Sequence, residues 1–203
     1  MSKIVIAIDG FSSTGKSTVA RRLAKELGYI YVDTGAMYRA VTYFALQNGL
    51  IANDKVDKQE LISQLNDIQI TFKFNKTVGI AEVYLNGNNI ESDIRTLKVS
   101  QHVSHIAEIS EVRRKLVEQQ QLMGKDKGVV MDGRDIATVV FPDAELKIFM
   151  TASAETRATR RYKELLQRGH NLSYDDVLKN VVTRDKIDST REDSPLIKAV
   201  DAI

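Results

Sequence analysis

The residues best suited to chemistry form the stretch Gly10–Ser17, which reads GFSSTGKS. Its spacing is that of a phosphate-binding loop: a glycine, four residues of any type, a glycine, a lysine, and a serine or threonine. Glycine at positions 10 and 15 lets the backbone come close to a phosphate and turn successive N–H groups towards it. Lys16 then reaches the β- and γ-phosphates, and the Ser17 hydroxyl is placed to bind Mg²⁺. The stretch predicts a nucleoside triphosphate site.

The sequence on either side favours this interpretation over a Gly/Ser-rich turn that matches by chance. Ile4–Ile8 is an apolar run, typical of a strand that is buried on both faces in a parallel sheet. After the loop, apolar residues at helical spacing predict one buried helix face: Val19, Ala20, Leu23, Ala24 and Leu27. Gly28 is placed to end that helix. Strand, glycine-rich loop and helix is the arrangement that such a phosphate site requires.

Acidic residues follow two other predicted strands. Tyr29–Val32 leads into Asp33, and Val129–Met131 leads into Asp132. Because ligands bind at the carboxyl ends of parallel strands, we expect these residues near the loop. Asp132 then has the position of an aspartate that supports Mg²⁺, directly or through water. Asp33 and Asp9 are either further contributors to that shell or turn and cap residues.

Arginines are frequent in the loops and helix ends around the proposed site: Arg39, Arg134, Arg157, Arg184 and Arg191. Guanidinium groups bind phosphate oxygens bidentately, and an enzyme that brings two polyanions together needs such cations. For any single arginine, and for Arg160, Arg161 and Arg168 in particular, the alternative is a solvated surface charge. Arg134 differs because a charge directly after a buried strand requires an anionic partner. The arginines therefore favour a transferase.

The elements that must position these residues alternate between strands and helices. This alternation predicts an α/β fold with three layers, in which helices flank a parallel central sheet. Further helices are expected at about 36–48, 57–65, 97–107, 110–123, 153–167 and from Ser173 onwards, with a strand at 146–150. Residues 66–92 alternate apolar and polar side chains around turns at Asn75–Gly79 and Asn86-Gly87, which predicts a small antiparallel insert.

The composition limits the partners of the chain. Of its 203 residues, 43% are hydrophobic and 28% are charged, as in ordinary globular proteins. A net charge of +2 gives no reason to expect nucleic acid or a membrane as partner. Cysteine is absent, and the histidines, His102, His105 and His170, lack metal-ligand spacing. With no signal peptide and no apolar run that could span a bilayer, we expect a cytoplasmic protein.

Several motifs, taken in order, resemble the bacterial cytidylate kinases, a family of nucleoside-monophosphate kinases with the P-loop fold. They cover essentially the whole chain: IAIDGFSSTGKSTVA, YVDTGAMYRAV, SDIRT, VMDGRDIATVVFPDAELKIFM and TRDKIDSTRED. DTGAMYR and DGRDIATVVFPDA are far more specific than the phosphate loop alone. The resemblance implies a monomer that phosphorylates CMP and dCMP to CDP and dCDP with ATP and Mg²⁺, by in-line transfer in a closed, arginine-lined site.

The resemblance also implies roles for individual residues. It implies ATP binding by Gly10, Phe11, Ser12, Ser13, Thr14, Gly15, Lys16, Ser17 and Thr18. It implies contacts with the acceptor phosphate by Thr34, Arg39 and Arg134, with cytosine by Ser104, Arg113, Asp135 and Arg191, and with the sugar and phosphates by Arg184 and Asp188. Catalysis is expected from Lys16, Arg134, Arg157 and Arg184, and metal binding from Ser17 and Asp132.

The same resemblance predicts one P-loop kinase domain over residues 1–203, with a monophosphate-binding insert at about 66–92 and a helical lid at about 153–175. Some residues depart from the family pattern: Phe11 replaces a usual proline, Thr14 a small residue, Thr34 a frequent serine and Ala137 a common glycine. Val200–Ile203 resembles the start of a final strand that another strand and helix would follow. We therefore expect a truncated C-terminus.

Two alternatives remain open from the sequence. The first is another P-loop kinase with a small acceptor, such as a different nucleoside monophosphate or shikimate. The second is a nucleotide-operated binding protein. Ras-like switches usually carry an Asn-Lys-x-Asp motif, whereas Asn75-Lys76 is followed by Thr77-Val78 in a predicted turn. This disfavours the second alternative.

Overall fold

The computed structural model describes residues 2–75 and 80–203. These residues form two compact units. The first unit consists of Met1–Tyr31 and Gly124–Ile203, and the second unit consists of Val32–Met123. Across the described ranges, none of the helices is both long enough and apolar enough to cross a membrane.

The described residues form strands and helices that we number in chain order. The strands are β1 (Val5–Gly10), β2 (Ile30–Asp33), β3 (Ile51–Ala52), β4 (Lys55–Val56), β5 (Ile70–Asn75), β6 (Ile80–Leu85), β7 (Asn88–Asn89), β8 (Val129–Gly133) and β9 (Leu146–Met150). The helices are α1 (Lys16–Leu27), α2 (Thr34–Gln47), α3 (Lys58–Ser63), α4 (Leu97–Ala107), α5 (Ser110–Gly124), α6 (Ala154–Gln167) and α7 (Tyr174–Thr190). A π-helix spans Ile136–Val140, and 3₁₀ turns span Leu65–Asp67 and Asp93–Arg95.

The central sheet has the strand order β2-β8-β1-β9. β1 pairs in parallel with both β8 and β9, so every residue of Val5–Gly10 is buried. In this register Asp9 lies opposite Gly133, and Gly10 lies opposite Met150. The carboxyl ends of these three strands therefore meet at one edge of the sheet, as the apolar runs predict. The α/β class, with a parallel central sheet flanked by helices and a small antiparallel sheet, is confirmed.

Helix α1 begins after Gly15 and ends at Gly28, as predicted, and both glycines have a positive φ. Its buried face is narrower than the periodicity indicates. Ala20 and Ala24 pack against the sheet, whereas Val19 and Leu27 are 41% and 47% exposed. Val19 lies about 100° around the helix from Ala20, and Leu27 is the last residue of the helix, so the prediction that both belong to the buried face is wrong.

The second unit has its own core around α2, α4 and α5. Its buried side chains include Met37, Leu61, Ile94, Ile106 and Leu116. β5, β6 and β7 form the predicted antiparallel sheet, in which the turn between β6 and β7 places Asn86 and Gly87 at positive φ. Of the turn predicted at Asn75–Gly79, residues 76–79 lie outside the described residues.

Within the described residues, several local structures have no prediction from the sequence, and a hairpin and the π-helix are two of them. β3 and β4 form a hairpin whose turn residues, Asn53 and Asp54, both have positive φ. Each of these strands has two residues, which is too short to show alternation. The π-helix Ile136–Val140 is the other, and its start is set by a contact with a residue far away in the chain, described below.

Candidate active site

The phosphate loop, Gly10–Ser17, connects β1 to α1 as predicted. Gly10 has a φ of 141°, and a Cβ at this position would collide with the carbonyl oxygen of Met150 on the neighbouring strand. Only glycine therefore allows the loop to leave the sheet here. Lys16 is 5% exposed, and its Nζ donates to the carbonyl oxygen of Phe11 at 2.6 Å, which folds the ammonium back over the loop. The loop thus holds a buried cation beside backbone N–H groups at the start of a helix, where anions bind.

Ser17 and Asp132 lie together, although they are far apart in the sequence. The Ser17 hydroxyl donates to Oδ2 of Asp132 at 2.9 Å, and the Tyr31 hydroxyl donates to Oδ1 of the same carboxylate at 2.7 Å. Hydroxyl and carboxylate oxygens are suitable ligands for Mg²⁺, which usually binds through one or two protein groups plus phosphates and waters. In the described part of the chain, no group of three or more histidine, cysteine or acidic residues could hold a metal ion. The pair fits a magnesium ion.

Asp9 anchors the segment after β8. Its carboxylate accepts hydrogen bonds from the backbone N–H groups of Ile136 and Ala137, at 2.9 and 2.8 Å. Of the two interpretations of Asp9 from the sequence, these contacts favour a turn and cap residue. Burial raises the pKa of Asp9 to about 6, against the opposing effect of the two backbone hydrogen bonds.

A pH titration of the Asp9 carboxyl carbon by NMR is expected to show a midpoint near pH 6. Because the pKa of Asp9 is higher in the folded chain than in the unfolded chain, its contribution to stability is largest at low pH. That contribution falls as the pH rises from about 4 to about 6. Glu145 is the control in the same titration, since a hydrogen bond from Lys127 lowers its pKa to about 2. A midpoint for Asp9 below pH 4 would contradict this prediction.

Arg134 and Arg184 form a buried charged group with Asp188 in the first unit. Nε of Arg134 donates to Oδ2 of Asp188 at 2.8 Å, which supplies the anionic partner that its position after β8 requires. The pKa of the Arg184 guanidinium is lowered to about 10, mainly by burial and then by Arg134 and Arg161, although Asp188 and Asp185 act to raise it. Burial alone would raise the pKa of Asp188, but Arg134 and Arg184 hold it below its usual range. This group is well suited to an additional anion such as a phosphate.

Helix α6 carries arginines that contact the phosphate loop. Arg157 is 3% exposed, and its NH1 lies 3.4 Å from the carbonyl oxygen of Ser12. Arg160 NH1 donates to the carbonyl oxygen of Thr14 at 3.0 Å, so this arginine is more than a solvated charge. Arg168 lies just beyond this helix, is 42% exposed and pairs with Glu164, as in the surface interpretation. Arg161 also pairs with Glu164, but its side chain is only 12% exposed, so it is not a solvated surface charge.

In the second unit, the start of α2 carries Thr34 and Arg39. Thr34 is buried in the first turn, and Arg39 NH1 donates to the carbonyl oxygen of Ile94 at 3.3 Å. Asp33 caps the helix by accepting from the N–H of Ala36 at 3.0 Å, so α2 begins earlier than the predicted residue 36. Asp33 is thus a cap residue, the second of its two interpretations from the sequence.

Arg95 is a residue of this region to which the sequence analysis assigns no role. Its NH1 lies 2.9 Å from Oδ2 of Asp33, and its NH2 lies 2.9 Å from Oε1 of Glu91. Burial alone would raise the pKa of Asp33, but the Arg95 guanidinium holds it below its usual value. Neither pairing had a signal in the sequence, because four-residue spacing brings side chains together on an α-helix and Glu91 lies outside one.

The remaining predicted residues of the second unit lie on α4 and α5. Ser104 is buried on α4. The Arg113 guanidinium is 5.6 Å from the ring centroid of Tyr38, and its NH1 donates to the carbonyl oxygen of Ala107 at 3.2 Å. Tyr38 thus orients an arginine that the resemblance assigns to the acceptor, and sequence reasoning did not identify that contact. In the first unit, the guanidinium of Arg191 lies 3.9 Å from Asp135.

Comparison with known proteins identifies one family. The model of the cytidylate kinase family matches residues 6–203. The chain is 69% identical over 203 residues to a cytidylate kinase of Flavobacterium johnsoniae, with 100% of this chain and 88% of that protein covered. It is 66% identical over 203 residues to one of Flavobacterium psychrophilum, covering 100% of this chain and 90% of that protein. For one of Bacteroides fragilis the identity over 203 residues is 58%, with 100% and 89% covered.

Proposed function

The chain belongs to the cytidylate kinase family, and we propose that it transfers the γ-phosphate of ATP to CMP or dCMP, giving CDP or dCDP. The family predicted from the motifs is confirmed by the match over residues 6–203. The structural observation that supports the proposed reaction most is the phosphate loop between β1 and α1, with Lys16 buried beside it. Backbone N–H groups at the start of a helix and a nearby ammonium bind phosphate oxygens, so this arrangement suits a loop that holds triphosphate.

We assign the ATP phosphates to the loop and the start of α1, residues 10–18. The N–H groups of the loop and the Lys16 ammonium bind phosphate oxygens, and Ser17 and Asp132 would hold Mg²⁺. When bound, this ion supplies positive charge to the phosphate oxygens of ATP. Tyr31 orients the Asp132 carboxylate through its hydrogen bond of 2.7 Å.

The roles that we propose for acceptor binding follow the family resemblance, residue by residue. In the second unit, Thr34 and Arg39 are proposed to bind the acceptor phosphate, and Ser104 and Arg113 to bind cytosine. In the first unit, Arg134 is proposed to bind the acceptor phosphate, Asp135 and Arg191 the base, and Arg184 and Asp188 the sugar and phosphates. The segment 66–92 is proposed as the monophosphate-binding insert, residues 153–175 as the lid, and the active species as a monomer.

The proposed chemistry needs little from the protein besides position and charge. The attacking group is a phosphate oxygen, which is mostly ionised at neutral pH because the second pKa of a phosphomonoester is about 6. The reaction therefore proceeds by in-line attack without a dedicated general base. Lys16, Arg134 and Arg184 stabilise the charge on the phosphoryl group during transfer. Exclusion of water by the lid prevents hydrolysis of ATP.

The direct test is ADP production from ATP and Mg²⁺ with CMP, dCMP, UMP, AMP, GMP or shikimate added separately. Strong stimulation by CMP and dCMP is expected. Stimulation by shikimate or by another nucleoside monophosphate alone would replace the proposed acceptor. ATP binding in equilibrium dialysis without stimulation by any acceptor would favour a nucleotide-operated binding protein.

Ser104→Ala is expected to raise the KM for CMP more than the KM for ATP. Ser104 is 2% exposed on α4, and loss of a hydrogen bond to a buried substrate group costs about 1 kcal/mol, or roughly fivefold in KM. Ser100→Ala is the matched control, because Ser100 is 1% exposed and lies one turn earlier on the same helix. A change in the KM for ATP alone would show that Ser104 does not contact the acceptor.

A further inference from the structure

Phe11 is an aromatic residue inside the phosphate loop, and its ring faces a buried cation. The guanidinium carbon of Arg157 lies 5.1 Å from the centroid of the Phe11 ring. This distance is within the range of a cation–π interaction, which is stronger when the cation is shielded from water. Arg157 is 3% exposed, so the ring contacts a cation with almost no access to solvent.

The other contacts of Arg157 fix the orientation of its planar guanidinium group. Nε donates to the carbonyl oxygen of Ala152 at 2.9 Å. NH1 donates to Oδ1 of Asp185 at 2.9 Å, and NH2 donates to Oδ2 of the same carboxylate. All three nitrogen atoms are thus engaged by protein groups, with the ring of Phe11 against the face. Arg157 lies on α6, and these contacts link the phosphate loop through it to Asp185 on α7.

This link acts on the backbone of the loop. NH1 of Arg157 also lies 3.4 Å from the carbonyl oxygen of Ser12, and Arg160 donates to the carbonyl oxygen of Thr14 at 3.0 Å. In a phosphate-binding loop the N–H groups turn towards the anion and the carbonyl groups turn away from it. Cations on the carbonyl side therefore favour the backbone arrangement that binds phosphate.

We propose that Phe11 is a positioning residue for ATP: its ring holds the Arg157 guanidinium against the carbonyl side of the phosphate loop, and Asp185 fixes the same guanidinium in its plane. The proposal rests on the proposed function, since it concerns how the same loop receives ATP. This role is additional to those of the glycines and the lysine, because the sequence pattern of the loop allows any residue at position 11. The Phe11 ring affects the binding of ATP and leaves the binding of CMP unchanged.

The test compares Phe11→Leu with Phe11→Tyr, measuring the Kd for ATP by calorimetry together with the KM for ATP and for CMP. Leucine keeps an apolar side chain but has no aromatic face, whereas tyrosine keeps the face. Phe11→Leu is expected to weaken ATP binding about threefold to thirtyfold, with the KM for CMP unchanged. Phe11→Tyr is expected to bind ATP like the unchanged protein. Thermal unfolding checks that each variant is folded.

A double-variant cycle shows whether Phe11 acts through Arg157. In an Arg157→Gln background, adding Phe11→Leu is expected to cause no further loss of ATP affinity. The proposal is overturned if Phe11→Leu binds ATP normally, or if its effect is the same with and without Arg157. If the unchanged protein binds ATP but shows no ADP production with CMP, the proposed function fails while the affinity comparison still decides the role of Phe11.

Discussion

Replacing Lys16 with alanine is expected to lower the kcat of CMP-dependent ADP production about a hundredfold to a thousandfold or more. Lys16 is 5% exposed, and its Nζ lies 2.6 Å from the carbonyl oxygen of Phe11, in the loop to which we assign the phosphates of ATP. In the proposed mechanism it would neutralise phosphate charge at a site with little competing water, where electrostatic interactions are strong. Steady-state ADP release at saturating ATP and CMP measures the effect.

Lys25→Ala is the matched control for this variant. Lys25 is on the same helix, α1, but its side chain is exposed in the last turn. Its removal is expected to leave kcat unchanged. Both variants should remain folded, with circular dichroism spectra like that of the unchanged chain. A near-normal kcat for Lys16→Ala would remove this lysine from the proposed mechanism.

Replacing Arg184 with methionine is expected to lower kcat about a hundredfold or more, a cost similar to that of removing a group that stabilises transition-state charge. Arg184 is buried beside Asp188 and Arg134, and burial together with Arg134 and Arg161 lowers its pKa to about 10 although Asp188 raises it. In the proposed mechanism its guanidinium would interact with the phosphoryl group in transit, most strongly when the negative charge on that group is greatest. The loss should therefore appear in kcat as well as in KM.

Methionine retains much of the apolar stem of Arg184, and Asp188 retains its partner Arg134 at 2.8 Å. The variant is therefore expected to fold, which thermal unfolding would check. Arg168→Met is the control, since Arg168 lies just beyond α6 and pairs with Glu164 at the surface. If both variants had the same kcat as the unchanged enzyme, Arg184 would be a structural charge only.

Much of the fold could be predicted because its signals are local. Leu146–Met150 and Leu97–Ala107 have the predicted bounds, since an apolar run and a helical repeat are each visible within a few residues. The phosphate loop was equally visible, because its glycines and lysine are close in sequence and their spacing reflects the geometry of one turn. Two-residue strands such as β3 contain too few residues for such a pattern.

The amino-acid sequence by itself therefore determined the order of the elements, the phosphate loop and the types of residue available to the site. Only the tertiary structure decided how charged residues are paired. Ser17 and Asp132 are separated by 115 positions and Arg157 and Asp185 by 28, yet each pair is joined by hydrogen bonds. A charged side chain that becomes buried needs a partner of opposite charge, but the sequence offers several residues that could be that partner. The choice depends on which strand ends and helix faces come together, and that is fixed by the packing of the whole core.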